Sequence, residues 1–409
     1  MNKTLAINGG DPVKEFPFEP WPVYDENERK ALMEVLESRI WWRTPGTATL
    51  NFEREFAKFQ QAKYGIAVTN GTAAIEVVMA ALGIRPGDEV IVPDFTFVAT
   101  ASAVLFAGAL PVIVDISPDT YCIDPDLVGR AITDRTKAII AVHMGGHPAD
   151  LDRLQEISNR YNLLLVEDSA HAHGSEWKGK KIGAIGNAGT FSFQASKLMT
   201  AGEGGIIITN DDEIERLARS AHDCGRMPGE WFYSHFIYGS NYRLSEWQGA
   251  VLSQQLKRLP DQTRVRTDNA QFLDSELSQI DGITPQTLDE RCTMNGHYAY
   301  IFHYNKEAFA GVSTNRFIEA FNAEGIPTQA SYPPLHDLEL FKSGEYRKRL
   351  CPAQADETHK FLMEEFPNTL KAAWETVWLP QTVLLGTRQD MELVIEAIQK
   401  IQSQADKLI

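Results

Sequence analysis

One lysine of this 409-residue chain is placed for chemistry rather than for solubility. Lys197 follows the aromatic run Phe-Ser-Phe and precedes a stretch of small residues that includes three glycines. Small residues let a ligand approach the backbone closely, and burial among them lowers the pKa of an ammonium group and frees a nucleophilic amine. The surface location that is usual for lysine is predicted instead for Lys178, Lys180 and Lys181, which lie in a charged turn.

An anion site is predicted where one of the helices begins. The expected strand at residues 66–69 ends in Asn70-Gly71-Thr72-Ala73, and a helix follows. The first amides of a helix have no intrahelical partner, so this turn offers N–H donors and the Thr72 hydroxyl to an anion. Taken alone, the motif favours a plainer interpretation, in which Thr72 is the N-cap of an ordinary helix.

A carboxylate follows another expected strand. Residues 163–166 lead into Glu167-Asp168-Ser169, and Asp168 can hold magnesium, cap the next segment or pair with a protonated ring nitrogen of a ligand. The magnesium interpretation requires a phosphate loop. Residues 174–181 only approximate one, because Lys181 stands where a serine or threonine must bind the metal. A nucleotide hydrolase is therefore excluded, and the other two interpretations remain open at this point.

The elements that position these groups alternate along the chain. Strand-like runs lie at residues 66–69, 89–93, 111–116, 137–143 and 163–167, with helix-like stretches between them at 73–82, 98–107 and 151–161. Strands separated by helices of this length predict βαβ crossovers, a mostly parallel sheet and an α/β fold. Two more strand candidates, at 189–193 and 205–209, are too close together for a helix and are expected to be antiparallel or mixed.

Three weak signals combine at one edge of this predicted sheet, because ligands bind at the carboxyl ends of parallel strands. Pyridoxal phosphate requires N–H donors for its phosphate, an anion for its ring nitrogen and an amine for its aldehyde. The turn at Thr72, the carboxylate of Asp168 and the amine of Lys197 supply these three groups. The sequence therefore predicts a pyridoxal-phosphate enzyme with Lys197 as the covalent attachment site.

The length of the chain allows one large and one small domain. A helix is predicted at 244–259, with Pro260 ending it, and beyond it the pattern changes to a strand at 297–304 and helices at 314–324 and 391–402. The predicted division is a large cofactor-binding domain at residues 1–260 and a small α+β domain at residues 261–409. The first ~40 residues lack the strand–helix alternation and are expected to wrap over the large domain.

Composition argues against other classes of protein. The formal net charge is −16 and no run of Lys and Arg occurs, which argues against a nucleic-acid partner. The four cysteines form no CxxC pair, and His143 and His147 are separated by two glycines without a third ligand at metal-binding spacing, so no metal is expected. Without an apolar leader or a bilayer-spanning stretch, a cytoplasmic location is expected, with no membrane partner.

At these residues the sequence resembles the DegT/DnrJ/EryC1/StrS family, which are sugar aminotransferases of pyridoxal-phosphate fold type I. The resemblance runs over nearly the whole chain. It is strongest in four blocks, VTNGTAAIEVVMAALGIRPGDEVIVPDFTFVATASAV, VEDSAHAHGS, FSFQASKLMTAGEGG and GSNYRLSEWQGAVLSQQL. It implies the same cofactor and a large domain with a mostly parallel sheet, followed by a smaller C-terminal α+β domain.

The resemblance implies roles for individual positions. Lys197 matches the Schiff-base lysine, which also moves a proton between the substrate carbon and the cofactor. Asp168 matches the carboxylate that keeps the pyridinium nitrogen protonated. The other cofactor-binding positions implied are Thr72, Ala73 and Ser192 at the phosphate, Phe97 on the ring face and His171 near the phenolic oxygen.

Asn241, within the block GSNYR, matches a residue that reaches the phosphate from a neighbouring subunit. This match implies a homodimer with shared active sites, whereas the alternative is that Asn241 caps the helix that starts near Leu244. Substrate contacts are implied for two regions in which packing tryptophans and a satisfied surface histidine are the alternatives. The positions concerned are Trp42, Arg43, Tyr332 and His336.

Members of the family mostly transfer an amino group from glutamate or glutamine to a keto group on a nucleotide-linked sugar or cyclitol, by a ping-pong mechanism. Within the family the chain is most similar to cyclitol aminotransferases and to 3-amino-5-hydroxybenzoate synthase. The segment Trp41-Trp42-Arg43 resembles the synthase, and Tyr332-Pro-Pro-Leu-His336 resembles the aminotransferases. Transamination of a keto-sugar or keto-cyclitol is predicted, with an aromatising dehydratase as the alternative. A non-catalytic sensor ranks last because Lys197 is present.

Overall fold

The structure is a computed structural model that describes residues 4–350 and 365–409. The strands are β1 (Tyr64–Val68), β2 (Glu89–Pro93), β3 (Leu110–Val114), β4 (Thr136–Val142), β5 (Leu164–Asp168), β6 (Glu176–Trp177), β7 (Lys180–Lys181), β8 (Ala188–Ser192), β9 (Gly205–Thr209), β10 (Ile283–Pro285), β11 (Cys292–Met294), β12 (Ala299–Tyr304) and β13 (Thr376–Pro380). The helices are α1 (Glu26–Ser38), α2 (Ala48–Phe59), α3 (Gly71–Ala81), α4 (Ala99–Phe106), α5 (Pro125–Ala131), α6 (Leu151–Tyr161), α7 (Asp212–His222), α8 (Glu246–Leu277), α9 (Thr314–Ala323), α10 (Glu339–Lys342), α11 (Glu345–Leu350), α12 (Pro367–Glu375) and α13 (Arg388–Gln402).

The main sheet has seven strands in the order β1-β9-β8-β5-β4-β2-β3. The pairs from β3 to β8 are parallel, and β9 is antiparallel to both of its neighbours, β8 and β1. The predicted α/β fold with a mostly parallel sheet is confirmed, as is the antiparallel element at residues 189–193 and 205–209. The connection between β8 and β9 leaves the carboxyl end of β8 and carries Lys197.

Both faces of the main sheet are covered, which is typical of parallel sheets with crossover helices. Successive residues of β2 point to opposite faces. Val90 and Val92 belong to a buried cluster on one face that includes residues of α3 and α4, while Ile91 belongs to the cluster on the other face, which also includes Phe52 and Phe56 of α2. This double layer holds the carboxyl ends of the strands in fixed positions.

The long helix α8 differs from the predicted one. It continues from Glu246 to Leu277 with Pro260 inside it, so the prediction that Pro260 ends the helix is wrong. An internal proline removes a backbone hydrogen bond and costs ~3 kcal/mol, but α8 buries side chains on both sides of it, against α1 and α2 and against α13. The predicted boundary near residue 260 therefore falls within a continuous helix, and the division into two domains stays a prediction.

The C-terminal part contains the sheet β10-β12-β13, covered by α9 and α13 around a separate hydrophobic core. The N-terminal segment contacts both parts of the chain rather than the first part alone. Leu5 is fully buried in the C-terminal core, and the amide of Lys14 donates to the carbonyl of Glu324 at 3.0 Å. Farther along, the indole of Trp21 donates to the carbonyl of Ala195 at 2.9 Å, beside the Lys197 loop.

Residues 174–181 form a turn and a short hairpin, in which β6 pairs with β7. This geometry is unlike a phosphate loop between a strand and a helix, in agreement with the exclusion of a nucleotide hydrolase. Among residues 4–350 and 365–409, no helix combines the length and the apolar character that crossing a bilayer requires.

Candidate active site

A cavity of about 940 Å³ opens at the carboxyl ends of the strands in the main sheet. Eight of the residues singled out in the sequence line it: Thr72, Ala73, Phe97, Asp168, His171, Ser192, Lys197 and Tyr332. The structure therefore brings the amine, the carboxylate and the helix N-terminus into one space. Trp42, Arg43, Asn241 and His336 lie outside the lining of this cavity.

Lys197 is buried, with 9% of its surface exposed. Burial disfavours the ammonium form and lowers the pKa of Lys197 to about 8, although the negative charge of Asp168 opposes the shift. The Nζ atom lies 4.3 Å from the centroid of the Tyr298 ring. An appreciable fraction of this amine is therefore neutral near pH 8, in the form that attacks a carbonyl.

Asp168 ends β5 and is almost fully buried. The hydroxyl of Thr100 donates to Oδ2 at 2.8 Å and the amide of Ala170 donates to Oδ1 at 3.3 Å. Burial raises the pKa of the Asp168 carboxyl, and these hydrogen bonds and the charge of Lys197 oppose the shift. A buried carboxylate of this kind is stabilised by a cationic partner, such as a protonated ring nitrogen.

Thr100 was not singled out from the sequence. Its hydroxyl lies 2.9 Å from that of Thr96, which also borders the cavity. The four-residue spacing of two threonines just after a buried strand is the one signal in the sequence that indicates this pair. Tyr298 was missed as well, because it directly precedes β12 in a segment predicted only as a strand.

The N-terminus of α3 forms the anion cradle. Asn70 is its N-cap, with Oδ1 accepting from the amide of Ala73 at 2.8 Å. The alternative in which Thr72 is the N-cap is therefore wrong. The first backbone hydrogen bond of the helix runs from Ala74 to Asn70, so the amides of Gly71 and Thr72 precede the intrahelical ladder and are available to an anion. The amide of Ala73 already has a partner in Asn70.

The backbone around this cradle is tightly packed. A Cβ atom on Gly71 would lie 2.8 Å from Cβ of Ser192, and one on Gly205 would lie 2.3 Å from the carbonyl oxygen of Asn70. Only glycine fits at either position, so β8 and β9 can lie directly beside the helix N-terminus. Ser192 consequently borders the same space as Thr72.

Aromatic rings form the wall near Lys197. His171 is stacked on Tyr298 with the ring centroids 3.9 Å apart, and its Nε2 lies 3.0 Å from the hydroxyl of Tyr332. Burial and the nearby charge of Lys197 hold the pKa of His171 well below its usual value, so its ring is neutral. Phe97 is half exposed at the cavity, with its ring centroid 6.0 Å from that of Tyr332.

Arg43 does not line the cavity of its own chain, and the substrate contact implied by the resemblance stays a prediction. Its guanidinium is buried and donates to Glu53 at 3.0 Å, with Nε2 of His222 also 3.0 Å away. Glu53 in turn accepts from the amide of Ala67 in β1 at 2.8 Å. Arg43 supplies the counter-charge that this buried carboxylate requires. Trp42 is partly exposed and contacts Phe232 edge to face.

His336 is also outside the lining of this cavity, and its predicted substrate contact likewise stays a prediction. Its Nδ1 atom is 2.6 Å from Oδ2 of the buried Asp94. Only Tyr332 of the two predicted residues in this segment reaches the lining. His336 is thus satisfied by a protein carboxylate.

Asn241 is exposed, while its neighbour Tyr242 lines the cavity. The alternative in which Asn241 caps a helix is wrong, since the N-cap of α8 is Ser245, whose amide donates to Oε1 of Gln248 at 3.1 Å. The side chain of Asn241 is therefore free to contact a group outside its own chain.

His143, His147 and Glu167, which lie close to the site, have partners within the protein. Nε2 of His143 lies 3.3 Å from Glu167, and Glu167 also accepts from the amides of Gly183, Ile185 and Gly186. His147 accepts from the amide of Asp289 at 3.0 Å. In the part of the chain that the structure describes, no group of three or more His, Cys, Asp or Glu side chains is arranged to hold a metal ion.

Residues 22–399 match the model of the DegT/DnrJ/EryC1/StrS aminotransferase family. The chain belongs to this family. Its solved relatives are aminotransferases of pyridoxal-phosphate fold type I, and the chain is accordingly a pyridoxal-phosphate-dependent aminotransferase. The resemblance stated from the four sequence blocks and the predicted cofactor are confirmed.

Individual relatives cover nearly the whole chain. An L-glutamine:3-amino-2,3-dideoxy-scyllo-inosose aminotransferase of Micromonospora echinospora is 38% identical, over 98% of this chain and 98% of its own length. The 3-amino-5-hydroxybenzoate synthase of Amycolatopsis mediterranei is 39% identical over 94% of this chain and 96% of its own. The crystal structure of a 3-amino-5-hydroxybenzoic acid synthase superposes with a TM-score of 0.84 at 38% identity, covering 95% of this chain and all of that one.

The residues of this aminotransferase fit the cofactor. Amides at Gly71 and Thr72, together with Ser192, suit a phosphate, and the buried carboxylate of Asp168 lacks a hydrogen-bonded cation among the described residues. Lys197 presents an amine of lowered pKa to the same cavity. The three parts thus match the three polar ends of pyridoxal phosphate.

Proposed function

We propose that this aminotransferase moves the amino group of glutamine, or of glutamate, to a keto group on a cyclitol. The observation that carries the proposal is that Lys197 and Asp168 line one cavity with the N-terminus of α3. The substrate class is supported by relatives named as L-glutamine:scyllo-inosose aminotransferases, which are similar over almost their full length. The partners proposed are therefore a small keto substrate and an amino-acid donor.

In this mechanism the side chains bind, orient and move protons. The bound cofactor supplies a carbonyl that takes up the amino group and a ring that withdraws electrons from the substrate carbon. Asp168 holds a proton at the ring nitrogen, because a buried carboxylate there favours the protonated ring. Thr100 and Ala170 fix the orientation of that carboxylate through their hydrogen bonds.

Lys197 serves as the attachment site and as the general base and acid. With a pKa lowered to about 8, its amine can accept a proton from the donor carbon and return one to the acceptor carbon near neutral pH. Thr72 and Ser192 are proposed to hold the phosphate with Ala73 beside it, Phe97 to cover the ring and the neutral His171 to approach the phenolic oxygen. Tyr298 and Tyr332 form part of the cavity wall near Lys197.

Mixing the cofactor-loaded enzyme with glutamine alone is expected to convert the bound cofactor to its amine form. The lysine-bound absorbance should disappear with one equivalent of amino group transferred per site, because a ping-pong enzyme completes this half-reaction without the acceptor. Stopped-flow spectroscopy with glutamine and glutamate, and with alanine as the control donor, measures the rate. Addition of a keto-cyclitol such as scyllo-inosose should then restore the original spectrum.

A second candidate function is favoured by one observation, the 39% identity to 3-amino-5-hydroxybenzoate synthase. An aromatising dehydratase would use the same lysine to remove water from a cyclic amino-ketone. If no amino-acid donor changes the cofactor spectrum while an amino-ketone does, the transamination proposal is wrong and the dehydratase takes its place.

We further propose that the enzyme is a homodimer with shared active sites. Five large aromatic side chains are exposed in a segment of eight residues: Trp231, Phe232, Tyr233, Phe236 and Tyr238. Clustered exposed aromatics indicate a surface that another protein covers. The segment leads into Asn241, whose exposed side chain does not line the cavity of its own chain. The proposed partner is a second copy of the chain, with Asn241 reaching the phosphate of that copy.

Mixed dimers of Lys197→Ala and Asn241→Asp subunits are expected to regain activity. An aspartate in place of Asn241 puts a negative charge beside the phosphate and should lower activity by roughly tenfold or more. In a mixed dimer one of the two sites has both wild-type residues, so random exchange should give about a quarter of wild-type activity. Purified heterodimers, in which every dimer keeps one intact site, should show about half of wild-type activity, and each variant homodimer is assayed separately for comparison. Activity equal to the sum of the homodimers would place Asn241 and Lys197 in the same subunit's site.

A further inference from the structure

An ion pair between a buried carboxylate and a partly exposed histidine connects the end of β2 with the segment that carries Tyr332. Asp94 follows β2 and is fully buried. Its Oδ1 accepts from the amide of His336 at 2.9 Å, and its Oδ2 lies 2.6 Å from Nδ1 of the same residue. The carbonyl of Asp94 also accepts from the amide of Leu335 at 3.0 Å. Three polar contacts therefore join two short stretches of chain, although Asp94 and His336 are 242 residues apart in the sequence.

Each of the two stretches also carries part of the cavity wall. Thr96 and Phe97 line the cavity shortly after Asp94, and Tyr332 lines it shortly before His336. Between them the ring of the buried Phe95 meets Tyr332 edge to face, with the centroids 6.4 Å apart. The hydroxyl of Tyr332 reaches Nε2 of His171 at 3.0 Å. The position of Tyr332 over the site consequently depends on how firmly its segment is held to β2.

The surroundings of the pair favour its charged form. Burial lowers the pKa of His336, but the hydrogen bond and the charge of Asp94 outweigh burial and raise the pKa above its usual value. Burial also raises the pKa of Asp94, an effect that His336 opposes. A buried carboxylate that loses its counter-charge is strongly destabilised, so removing either member should weaken the contact.

Three other charged groups face the pair. Asp115 lies near Asp94 and raises its pKa, although the Asp115 carboxylate is itself bound by the amide and hydroxyl of Thr369. Asp337 and Lys342 act on His336 with opposite signs and are paired with each other at 3.0 Å. The face of the imidazole is covered by the ring of Phe366. None of these contacts replaces the direct one between Asp94 and His336.

We propose that the Asp94–His336 pair is a positioning device that holds Tyr332 against the active site. His336 thereby sets the shape of the cavity wall at Tyr332 without touching the substrate. The inference rests on the proposed function for its kinetic consequence. Its structural consequence, a Tyr332 segment tied to β2, is independent of which reaction the enzyme catalyses.

Hydrogen exchange in the cofactor-loaded enzyme tests the structural consequence. The amides of Leu335 and His336 donate to Asp94, so a peptide covering residues 332–338 should exchange at least about tenfold faster in His336→Ala and in Asp94→Asn. His336→Asn keeps a donor near the Nδ1 position without a charge, so the exchange rate of this peptide should lie between those of the wild type and His336→Ala. A peptide from β12 is the control for global loosening. Unchanged exchange at residues 332–338 in His336→Ala would overturn the proposal.

Steady-state kinetics separates positioning from chemistry. His336→Ala should raise KM for the keto acceptor roughly tenfold while kcat changes by less than about threefold. Because the pKa of His336 is raised, the charged pair is complete below that pKa and is lost as the pH rises through it. The acceptor KM of the wild type should therefore rise as the pH passes above the pKa of His336, and it should rise more than that of His336→Asn, in which Lys197 still titrates.

The outcomes remain distinguishable. A fall in kcat at unchanged KM would contradict the positioning role, because it would assign His336 to the reacting atoms. Failure of the wild type to react with glutamine would contradict the proposed function and leave the exchange result to decide the role of the pair.

Discussion

Replacing Lys197 with alanine is expected to lower the rate of amino transfer by at least ~10³-fold, because one side chain supplies both the covalent attachment and the proton transfer. The variant should still fold, since the Nζ atom faces a cavity and lies against Tyr298 rather than in the packed core. The measurement is kcat for amino transfer together with the visible spectrum of the bound cofactor. The lysine-bound absorbance should be absent in Lys197→Ala.

Two controls accompany this variant. Lys197→Arg keeps a cation in the cavity but cannot attack the cofactor carbonyl at ordinary pH, so it should be as inactive as Lys197→Ala. Lys180→Ala removes an exposed lysine of the β6–β7 hairpin and should behave as wild type. Retention of the lysine-bound spectrum in Lys197→Ala would assign the attachment to another residue.

Asp168→Asn is expected to lower kcat by ~10²-fold or more while the cofactor remains bound. Asparagine has nearly the same shape and can still accept from Thr100, but it cannot stabilise a proton on the ring nitrogen. The loss should fall on kcat rather than on the cofactor Kd, because the phosphate cradle at α3 is untouched. Steady-state kinetics and cofactor titration of the same preparation measure both quantities.

Asp126→Asn is the matched control for this carboxylate. Asp126 is exposed and pairs with Arg153 at the surface, so its neutralisation should leave kcat unchanged. Full activity of Asp168→Asn would mean that the ring nitrogen needs no carboxylate in this enzyme, which contradicts the role proposed for Asp168.

The sequence was most informative where a local pattern determines the structure. Apolar runs separated by helical spacing predicted the parallel sheet, and the short gap between residues 193 and 205 predicted the antiparallel strand β9. Pro260 was misleading because its local effect on the backbone is opposed by tertiary burial along α8, which no short window of sequence contains. Local preference therefore determined the parallel sheet and β9, whereas long-range packing determined the continuation of α8 through Pro260.

The residues of the candidate site also fall into two groups, those placed by local sequence and those placed by long-range contacts. Asp168 ends β5, the turn at Thr72 follows β1, and Lys197 lies five residues beyond the end of β8, so the carboxyl ends of the strands bring the three to one edge of the sheet. The sequence resemblance implied substrate contacts for Arg43 and His336. In the folded chain, Arg43 is bound by the buried carboxylate of Glu53 and His336 by that of Asp94. In both cases a buried acid determines where the side chain lies within its own chain.

The central claim is that one amine, Lys197, is held across a single cavity from the carboxylate of Asp168 and carries the cofactor. Borohydride reduction of the loaded enzyme, followed by proteolysis and mass spectrometry, tests it most directly. The pyridoxyl group is predicted on the peptide that contains Lys197, at one per chain. A pyridoxyl group on any other lysine, or none on the Lys197 peptide after complete reduction, would contradict the account.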